Sequence, residues 1–275
     1  MLYHSTSGGW PLSEGTVKLE KLGLLNKVVQ GDAVEFLKTL PDGCVDLVFA
    51  DPPYNLQLTE GKKLIRWNRT VVDGVKEDWD RFTSFEDYDR FTLSWLKEVR
   101  RVMRPHATIW AIGTYHNIYR IGKAMQDHGY WVLNDVIWLK TNPVPNFLKV
   151  RFTNATETLI WAVRDRNDKK YFFDKALAKT FGIGKVGANV WEIPLCIGKQ
   201  RLKDSDGVKL HSTQKPEALL ERVIQVSSKV GDVVLDPFGG TGTTAFIAKK
   251  LGRNFITIEK NPRYIPYIEQ RLLSI

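Results

Sequence analysis

The sequence has few cysteines and no long apolar run. Its two cysteines, Cys44 and Cys196, lie far apart and belong to no Cys-x-x-Cys or Cys/His pattern, so neither a disulfide framework nor a zinc site is predicted, and no metal ligands are assigned. No apolar segment approaches the roughly 20 residues that a membrane-spanning helix needs, and residues 1–9 lack the pattern of a secretory signal. We therefore expect a cytoplasmic protein without a membrane partner.

The composition is that of an ordinary globular protein with a basic excess. Of 275 residues, 43% are hydrophobic and 26% charged, which excludes disordered and fibrous classes. The formal charge of +9 favours a polyanionic partner but does not identify one, because many basic proteins only carry a solvated lysine-rich surface. With no repeat or low-complexity segment, we expect an N-terminal extension at residues 1–25 and a single domain at residues 26–275.

From residue 27 onward, predicted strands and helices alternate. Short apolar runs predict strands at residues 27–30, 45–50, 108–112, 131–139, 158–163, 232–236 and 254–259. Helical periodicity predicts helices at residues 33–40, 85–103, 118–128, 216–228 and up to 250. This alternation predicts an α/β fold with a mostly parallel sheet and helices on both faces. Three segments, residues 55–80, 140–152 and 164–210, are expected to be long loops.

A glycine-rich turn, Asp236-Pro-Phe-Gly-Gly-Thr-Gly-Thr-Thr244, follows a predicted strand and opens a helix. Glycines there let the backbone approach a ligand closely, and the helix start can hold a polar or anionic group. Glu259, at the end of the next strand, is placed to accept hydrogen bonds from a ribose. The turn could instead be a simple tight connection. The glycines do not have the G-x-G-x-x-G spacing of nicotinamide or flavin proteins.

A second motif, Asp51-Pro-Pro-Tyr54, ends the predicted strand at residues 45–50. Two successive prolines cannot continue a strand inside a sheet, so the motif is a loop at its carboxyl end. The exocyclic amine of a base is a poor nucleophile, because its lone pair is delocalised into the ring, and hydrogen-bond acceptors on its N–H groups would activate it. Asp51 and the carbonyl of Pro52, held by the rigid Pro53, supply two such acceptors, and Tyr54 can stack on a base swung out of the duplex. An ordinary proline turn is the alternative.

Together these motifs resemble those of amino-methyltransferases acting on DNA, in the order typical of the beta class. Four further segments resemble the cell-cycle-regulated adenine methyltransferases that modify GANTC: residues 49–58, 115–118, 142–147 and 211–216. The likeness spans about residues 26–275. It implies a Rossmann-like S-adenosylmethionine-dependent methyltransferase fold. The larger GANTC enzymes carry a C-terminal recognition extension, whereas this sequence ends at Ile275, so the target sequence is not carried over.

The resemblance also implies residue roles. Asp32 would lie by the cofactor adenosine, although it could equally cap the helix that starts at Ala33, and Lys215 with Thr213 would border the methionine end. The predicted catalytic residues are Asp51, Pro52, Pro53 and Tyr54. The predicted S-adenosylmethionine-binding residues are Asp32, Ala33, Asp51, Thr213, Lys215, Asp236, Pro237, Phe238, Gly240, Thr241, Gly242, Thr243, Glu259 and Lys260.

We expect the partner to be double-stranded DNA, with a second copy of the chain and a cognate restriction endonuclease as further candidate partners. The predicted DNA-binding residues, which could instead be solvated loop residues, are Lys62, Lys63, Arg66, Arg69, Lys140, Asn142, Asn146, Phe147, Lys149 and Arg151. Asp51 at the head of its motif favours transfer to adenine N6, because a serine often stands there in cytosine-N4 enzymes. The alternatives are a cytosine-N4 enzyme, a non-catalytic DNA-binding protein on the same fold, and an RNA or protein methyltransferase.

Overall fold

The structure of the protein, a computed structural model, describes residues 14–55, 64–65, 71–72, 80, 82–146, 149–203, 207–210 and 213–275. The helices are α1 (Glu14–Lys21), α2 (Ala33–Leu37), α3 (Phe85–Val102), α4 (Ile118–Asp127), α5 (Lys175–Ala178), α6 (Glu217–Ser227), α7 (Thr243–Lys250) and α8 (Ile265–Leu273). The strands are β1 (Lys27–Gln30), β2 (Val45–Ala50), β3 (Leu64–Ile65), β4 (Val71–Val72), β5 (Met103–Gly113), β6 (Trp131–Lys140), β7 (Thr156–Val163), β8 (Val190–Ile193), β9 (Val233–Asp236) and β10 (Asn254–Glu259).

Eight strands form one sheet in the order β1-β10-β9-β2-β5-β7-β6-β8. Five neighbouring pairs are parallel, and only β7 runs antiparallel to both of its neighbours. The prediction of a mostly parallel α/β sheet is confirmed. Strands β3 and β4 pair antiparallel as a separate ladder, inside the segment predicted to be only a loop.

Helices cover both faces of the sheet, as predicted. Alternate side chains of β2 point to opposite faces, which is the two-residue period of a strand. Val48 packs in a cluster with residues of α2, α3 and α4, including Trp95, whereas Leu47 and Phe49 pack with residues of α6, α7 and α8, including Ile268. The centre of the sheet is therefore buried on both sides, which explains its continuous apolar runs.

Two parts of the chain contain elements that the sequence-based expectations did not include. The segment 164–210, predicted to be loop-rich, contains α5 and the sheet strand β8, whose residues Val190–Ile193 carry only a short apolar pattern. The predicted N-terminal extension contains α1, which packs on the domain through the fully buried Leu19. Arg104 on β5 donates a 2.7 Å hydrogen bond to Thr16 of this helix.

The described residues contain neither a membrane-spanning helix nor a metal cluster. None of their helices is long and apolar enough to cross a bilayer. Within the same ranges, no three or more His, Cys, Asp or Glu side chains gather in a way that could hold a metal ion. Cys44 and Cys196 are both buried free thiols.

Candidate active site

The two sequence motifs meet at the carboxyl ends of neighbouring parallel strands. Val48 of β2 pairs with Leu235 of β9, so Asp51 and Asp236 follow at the same edge of the sheet. In the sheet, β10 lies next to β9 on one side of this pair and β5 lies next to β2 on the other, so the strand order runs in opposite directions from the pair. Such a reversal of strand order leaves a crevice outside the strand ends, where α/β proteins bind ligands. A cavity of about 290 Å³ lies there.

Nearly every residue predicted for catalysis or cofactor binding lines this cavity, and Gly242 is the exception. Further lining residues, which were not in the predicted set, include Asp80 and Phe91, together with Gly239 and Thr244 of the glycine-rich turn. The predicted residues that line it are Asp32, Ala33, Asp51, Pro52, Pro53, Tyr54, Thr213, Lys215, Asp236, Pro237, Phe238, Gly240, Thr241, Thr243, Glu259 and Lys260.

Two carboxylates hold the glycine-rich turn by accepting hydrogen bonds from its backbone amides. The Asp236 carboxylate accepts a 2.9 Å bond from the Phe238 amide, and the Glu259 carboxylate accepts a 2.7 Å bond from the Gly240 amide. A Cβ added at Gly239 would lie 2.4 Å from the Thr257 side chain, so only glycine allows this approach to β10. The turn is thereby fixed against the strand end that carries Glu259.

Gly242 has a structural role instead of lining the cavity. Its φ of 72° is in the left-handed region, and a Cβ there would lie 2.5 Å from the Ile268 side chain on α8. Gly242 precedes α7 directly and lets this helix pack closely on α8. The prediction that Gly242 contacts the cofactor has no support in the position of this residue.

Asp32 satisfies both alternatives that the sequence left open. Its carboxylate caps α2 by accepting a 3.0 Å hydrogen bond from the Val34 amide, and it also lines the cavity beside Lys260, whose ammonium lies 3.2 Å away. A helix cap uses only part of the acceptor capacity of a carboxylate. Capping and ligand contact are therefore compatible at this position.

The Asp51-Pro-Pro-Tyr54 loop is anchored by three side chains. The Asp80 carboxylate accepts hydrogen bonds from the amides of Tyr54 (2.6 Å) and Asn55 (2.7 Å). The carbonyl of Pro53 accepts bonds from the Tyr88 hydroxyl (2.9 Å) and the Asn117 amide (3.4 Å).

The Asp51 carboxylate presents one engaged and one open oxygen. Oδ2 accepts a 2.6 Å hydrogen bond from the Lys215 ammonium. Oδ1 is buried and has no hydrogen-bond partner among the described residues. Burial raises the pKa of Asp51 above its ordinary value, and the adjacent Lys215 opposes that shift. An unpartnered buried acceptor costs free energy, and at the wall of a cavity it is suited to an N–H donor from a ligand.

Tyr54 is fixed from two directions. Its hydroxyl donates a 2.9 Å hydrogen bond to the Glu157 carboxylate, and the Lys215 ammonium lies 5.1 Å from the centre of its ring. Burial and the carboxylates of Asp51 and Glu157 raise the pKa of Tyr54 well above its usual range. Tyr54 is therefore a neutral, oriented aromatic wall of the cavity.

Residues 45–270 match the model of a protein family described as DNA methylase. The chain belongs to the DNA methylase family. The methylase is 51% identical over 251 residues to type II methyltransferase M.HinfI of Haemophilus influenzae, covering 91% of this chain and 69% of that protein. It is 38% identical over 245 residues to type II methyltransferase M2.DpnII of Streptococcus pneumoniae, covering 89% of this chain and 88% of that protein.

Solved structures share the fold of the methylase. The M1.HpyAVI–SAM complex is 26% identical, with a TM-score of 0.65 over 90% of this chain and 98% of that chain. The cytosine-N4-specific PvuII DNA methyltransferase is 21% identical, with a TM-score of 0.68 over 89% of this chain and 85% of that chain. The second likeness concerns the fold alone. Together they confirm the Rossmann-like methyltransferase fold.

The predicted DNA-binding residues of the methylase divide into three groups. Lys62, Lys63, Arg66, Arg69 and Phe147 lie outside the described residues. Lys149 and Arg151 are exposed, and Arg151 donates a 2.7 Å hydrogen bond to the Tyr115 hydroxyl.

The other three residues of this set hold internal contacts. The side-chain Oδ1 of Asn142 accepts a 2.6 Å hydrogen bond from the Leu195 backbone amide, and the Asn146 side chain donates a 2.7 Å bond to the Arg151 backbone carbonyl. Lys140 is 8% exposed, and its ammonium lies 3.0 Å from the Glu157 carboxylate. The position of Lys140 gives no support to the expected phosphate contact, because its charge is buried and paired inside the protein.

The sequence did not predict the residues that support the Asp51-Pro-Pro-Tyr54 loop, hereafter the catalytic loop. Glu157, Asp80, Tyr88 and Asn117 all lie far along the chain from the residues they contact. Glu157 carried a weak signal, since a carboxylate near the start of an apolar strand is unusual. Asn117 stands in the segment 115–118 that carries the family resemblance, whereas Asp80 and Tyr88 stand in no distinguishing pattern. Only the folded chain brings all of them to the loop.

Proposed function

We propose that the methylase transfers a methyl group from S-adenosylmethionine to the N6 amine of adenine in double-stranded DNA, with the target base swung out of the duplex. The observation that carries this proposal is the buried, unpartnered Oδ1 of Asp51 at the wall of a cavity shared with the glycine-rich turn. The comparison with the M1.HpyAVI–SAM complex supports the choice of cofactor.

The cavity fits a cofactor with net positive charge. The carboxylates of Asp32, Asp51, Asp236 and Glu259 line it, against the ammonium groups of Lys215 and Lys260. S-adenosylmethionine supplies a methyl group on a sulfonium, and the C–S bonding pair returns to sulfur when the methyl leaves. The turn at Gly239 and Gly240 brings backbone close to the place where such a ligand would lie.

The acceptors at the head of the catalytic motif activate the amine. Oδ1 of Asp51 accepts one N–H of the adenine amine, and the carbonyl of Pro52 accepts the other. The Pro53 carbonyl is already engaged by Tyr88 and Asn117, which holds the diproline in place. As the nitrogen lone pair bonds to the methyl carbon, the nitrogen gains positive charge, and one of its protons passes to Asp51 and then to solvent.

Tyr54 provides a surface for the base. Its hydroxyl is tied to Glu157, so the ring has little freedom to lose when a base stacks on it. Stacking of a base on an aromatic ring contributes about 1 to 3 kcal/mol, which offsets part of the cost of leaving the duplex.

Three finer parts of the proposal rest on the sequence. The order of the motifs supports the beta class, and the four segments named above support a likeness to the GANTC adenine methyltransferases, while the target sequence itself is left to experiment. The names of two relatives, both type II methyltransferases, support a place in a restriction-modification system. Sequencing of DNA from cells that express the protein, with modified bases identified at single-nucleotide resolution, tests the target.

The base identity is tested by digesting methylated DNA to nucleosides. We expect N6-methyladenine, whereas N4-methylcytosine would favour the alternative enzyme. Labelling of RNA or protein but not of DNA would overturn the proposal, and so would DNA binding without any methyl transfer. Asp51→Ala should lower the single-turnover rate by about 100-fold or more, as for other lost transition-state contacts. Asp51→Asn keeps an acceptor oxygen and should lose less.

A further inference from the structure

A buried charge network lies behind the catalytic loop. It consists of the side chains of Lys140, Glu157, Lys215 and Asp51, together with the hydroxyl of Tyr54. Glu157 is at its centre: one carboxylate oxygen lies 3.0 Å from the Lys140 ammonium, and the other accepts the Tyr54 hydroxyl at 2.9 Å and lies 3.9 Å from the Lys215 ammonium. Lys215 in turn contacts Asp51 at 2.6 Å.

The sheet brings these groups together. Glu157 on β7 stands opposite Trp138 on the antiparallel strand β6, and Lys140 follows two residues later on the same face of β6. Cross-strand neighbours at this diagonal are within reach of long side chains. The side chains of Lys140, Glu157 and Lys215 are exposed by 8%, 10% and 6%, so water screens these charges little.

The network contains two cations and two carboxylates, so removal of any single member leaves an unbalanced charge. We propose that Glu157 is a positioning residue for methyl transfer: it orients Tyr54 and, with Lys140 as its counterion, keeps Lys215 bound to one oxygen of Asp51, so that the other oxygen remains open to the base amine. This inference rests on the proposed function, and it assigns to Lys140 a role in place of the DNA contact expected from the sequence.

Loss of one member should disturb the others in a defined direction. Glu157→Gln keeps an oxygen that accepts the Tyr54 hydroxyl but leaves Lys140 as an unbalanced cation, which favours the ionised form of Asp51. Lys140→Met leaves Glu157 as an unbalanced anion, which favours the protonated form. The other ionisable groups around Asp51 are Lys215, Tyr54 and Asp236, and both substitutions leave them in place. Lys140→Met/Glu157→Gln removes one charge of each sign.

The experiment measures single-turnover methylation of duplex DNA as a function of pH for the wild type and the three variants, with thermal unfolding and S-adenosylmethionine Kd as parallel readouts. We expect each single variant to lose about tenfold in rate at an almost unchanged Kd, and the double variant to recover to within about threefold of the wild type. The acidic limb of the profile should move to lower pH in Glu157→Gln, to higher pH in Lys140→Met, and return in the double variant.

Losses that simply add in the double variant, or limbs that stay at the wild-type position, would overturn the inference and leave a purely structural carboxylate. If Glu157→Gln does not fold, the remaining variants still give different expectations: the limb lies at higher pH in Lys140→Met and at the wild-type position in the double variant. The wild-type protein separates the two proposals: if it forms no N6-methyladenine, the proposed function fails, whereas normal transfer with unmoved limbs defeats only the role of Glu157.

Discussion

The ammonium of Lys215 lies 2.6 Å from one carboxylate oxygen of Asp51, although 164 residues separate them in the sequence. Lys215 precedes α6 and Asp51 follows β2, so the contact joins two segments that are distant in the sequence. It leaves one oxygen of Asp51 engaged and the other available. The catalytic loop therefore depends on a residue outside both of the motifs that first indicated its function.

Substitution of Lys215 should shift the pH dependence of the reaction. The pKa of Asp51 is raised by burial and lowered by Lys215, so Lys215→Met should raise it further. Because the carboxylate must be ionised to accept the amine N–H, the acidic limb of the rate profile should move to higher pH and the rate below that limb should fall. Lys215→Arg keeps the charge and should shift the limb less. A Lys215→Met protein with an unmoved limb would show that another group controls the ionisation of Asp51.

The affinity for S-adenosylmethionine should depend on pH through Asp236. Burial raises the pKa of this carboxyl to about 7, so below that pH it is protonated in the free protein. A cationic ligand favours the ionised form, and its binding should release a proton. We expect Kd to fall as pH rises to about 7, by at most about tenfold per unit, and then to level off.

Asp236→Asn provides the control, because its amide oxygen can still accept the Phe238 N–H bond while the carboxyl no longer titrates. Calorimetric titration in buffers of different ionisation enthalpy should detect proton release for the wild type and little for this variant. An equal pH dependence of Kd in both proteins would show that the ionisation of Asp236 does not control cofactor affinity.

Gly242→Ala should destabilise the fold without a direct effect on the cavity. The added methyl would lie 2.5 Å from the Ile268 side chain, and the backbone has a φ of 72°. Strain and overpacking together should lower the free energy of unfolding by about 2 to 4 kcal/mol. Gly231→Ala is a matched control, since Gly231 also has positive φ but open space around it, and should cost only about 1 kcal/mol. Equal losses in denaturant unfolding would contradict the packing role.

Lys149 and Arg151 should contribute to DNA affinity through phosphate contacts. Each alanine substitution should reduce the slope of log affinity against log salt concentration by about 1. Lys123→Ala is the comparison, because Lys123 is equally basic and exposed but lies on α4, paired with Asp127. Fluorescence anisotropy with a labelled duplex measures the slopes. If all three variants keep the wild-type slope, residues 149–151 are not part of the DNA interface.

The sequence predicted the sheet and the cavity well because both depend on local patterns. Apolar runs located β2, β9 and β10, and the residues that end them had to meet once those strands were parallel neighbours. The support of the loop could not be predicted in this way. The contact of Asp80 with Tyr54 and Asn55 joins residues that are 26 and 25 positions apart in the sequence. No periodic pattern in the sequence predicts such a contact.

Lys140 shows the limit of reading charge from a sequence. Because it lies near Asn142 and Lys149 in the sequence, all three residues were predicted to contact DNA. Lys140 is, however, the last residue of β6, and its side chain turns inward to Glu157. Whether a lysine at a strand end faces water or a buried carboxylate depends on which strand is its neighbour and in what register. The sequence pattern of a single strand does not determine either.

The order of strands in the sheet also constrains how the protein is made. Within the described sheet β1 is an edge strand that pairs with β10, and β2 has β9 along one edge, so both strands depend on partners that come much later in the sequence. During translation β2 must keep that edge unpaired until β9 emerges from the ribosome. Unpaired strand edges are prone to intermolecular strand addition, and the site where β2 and β9 end side by side cannot form before β9 has been synthesised.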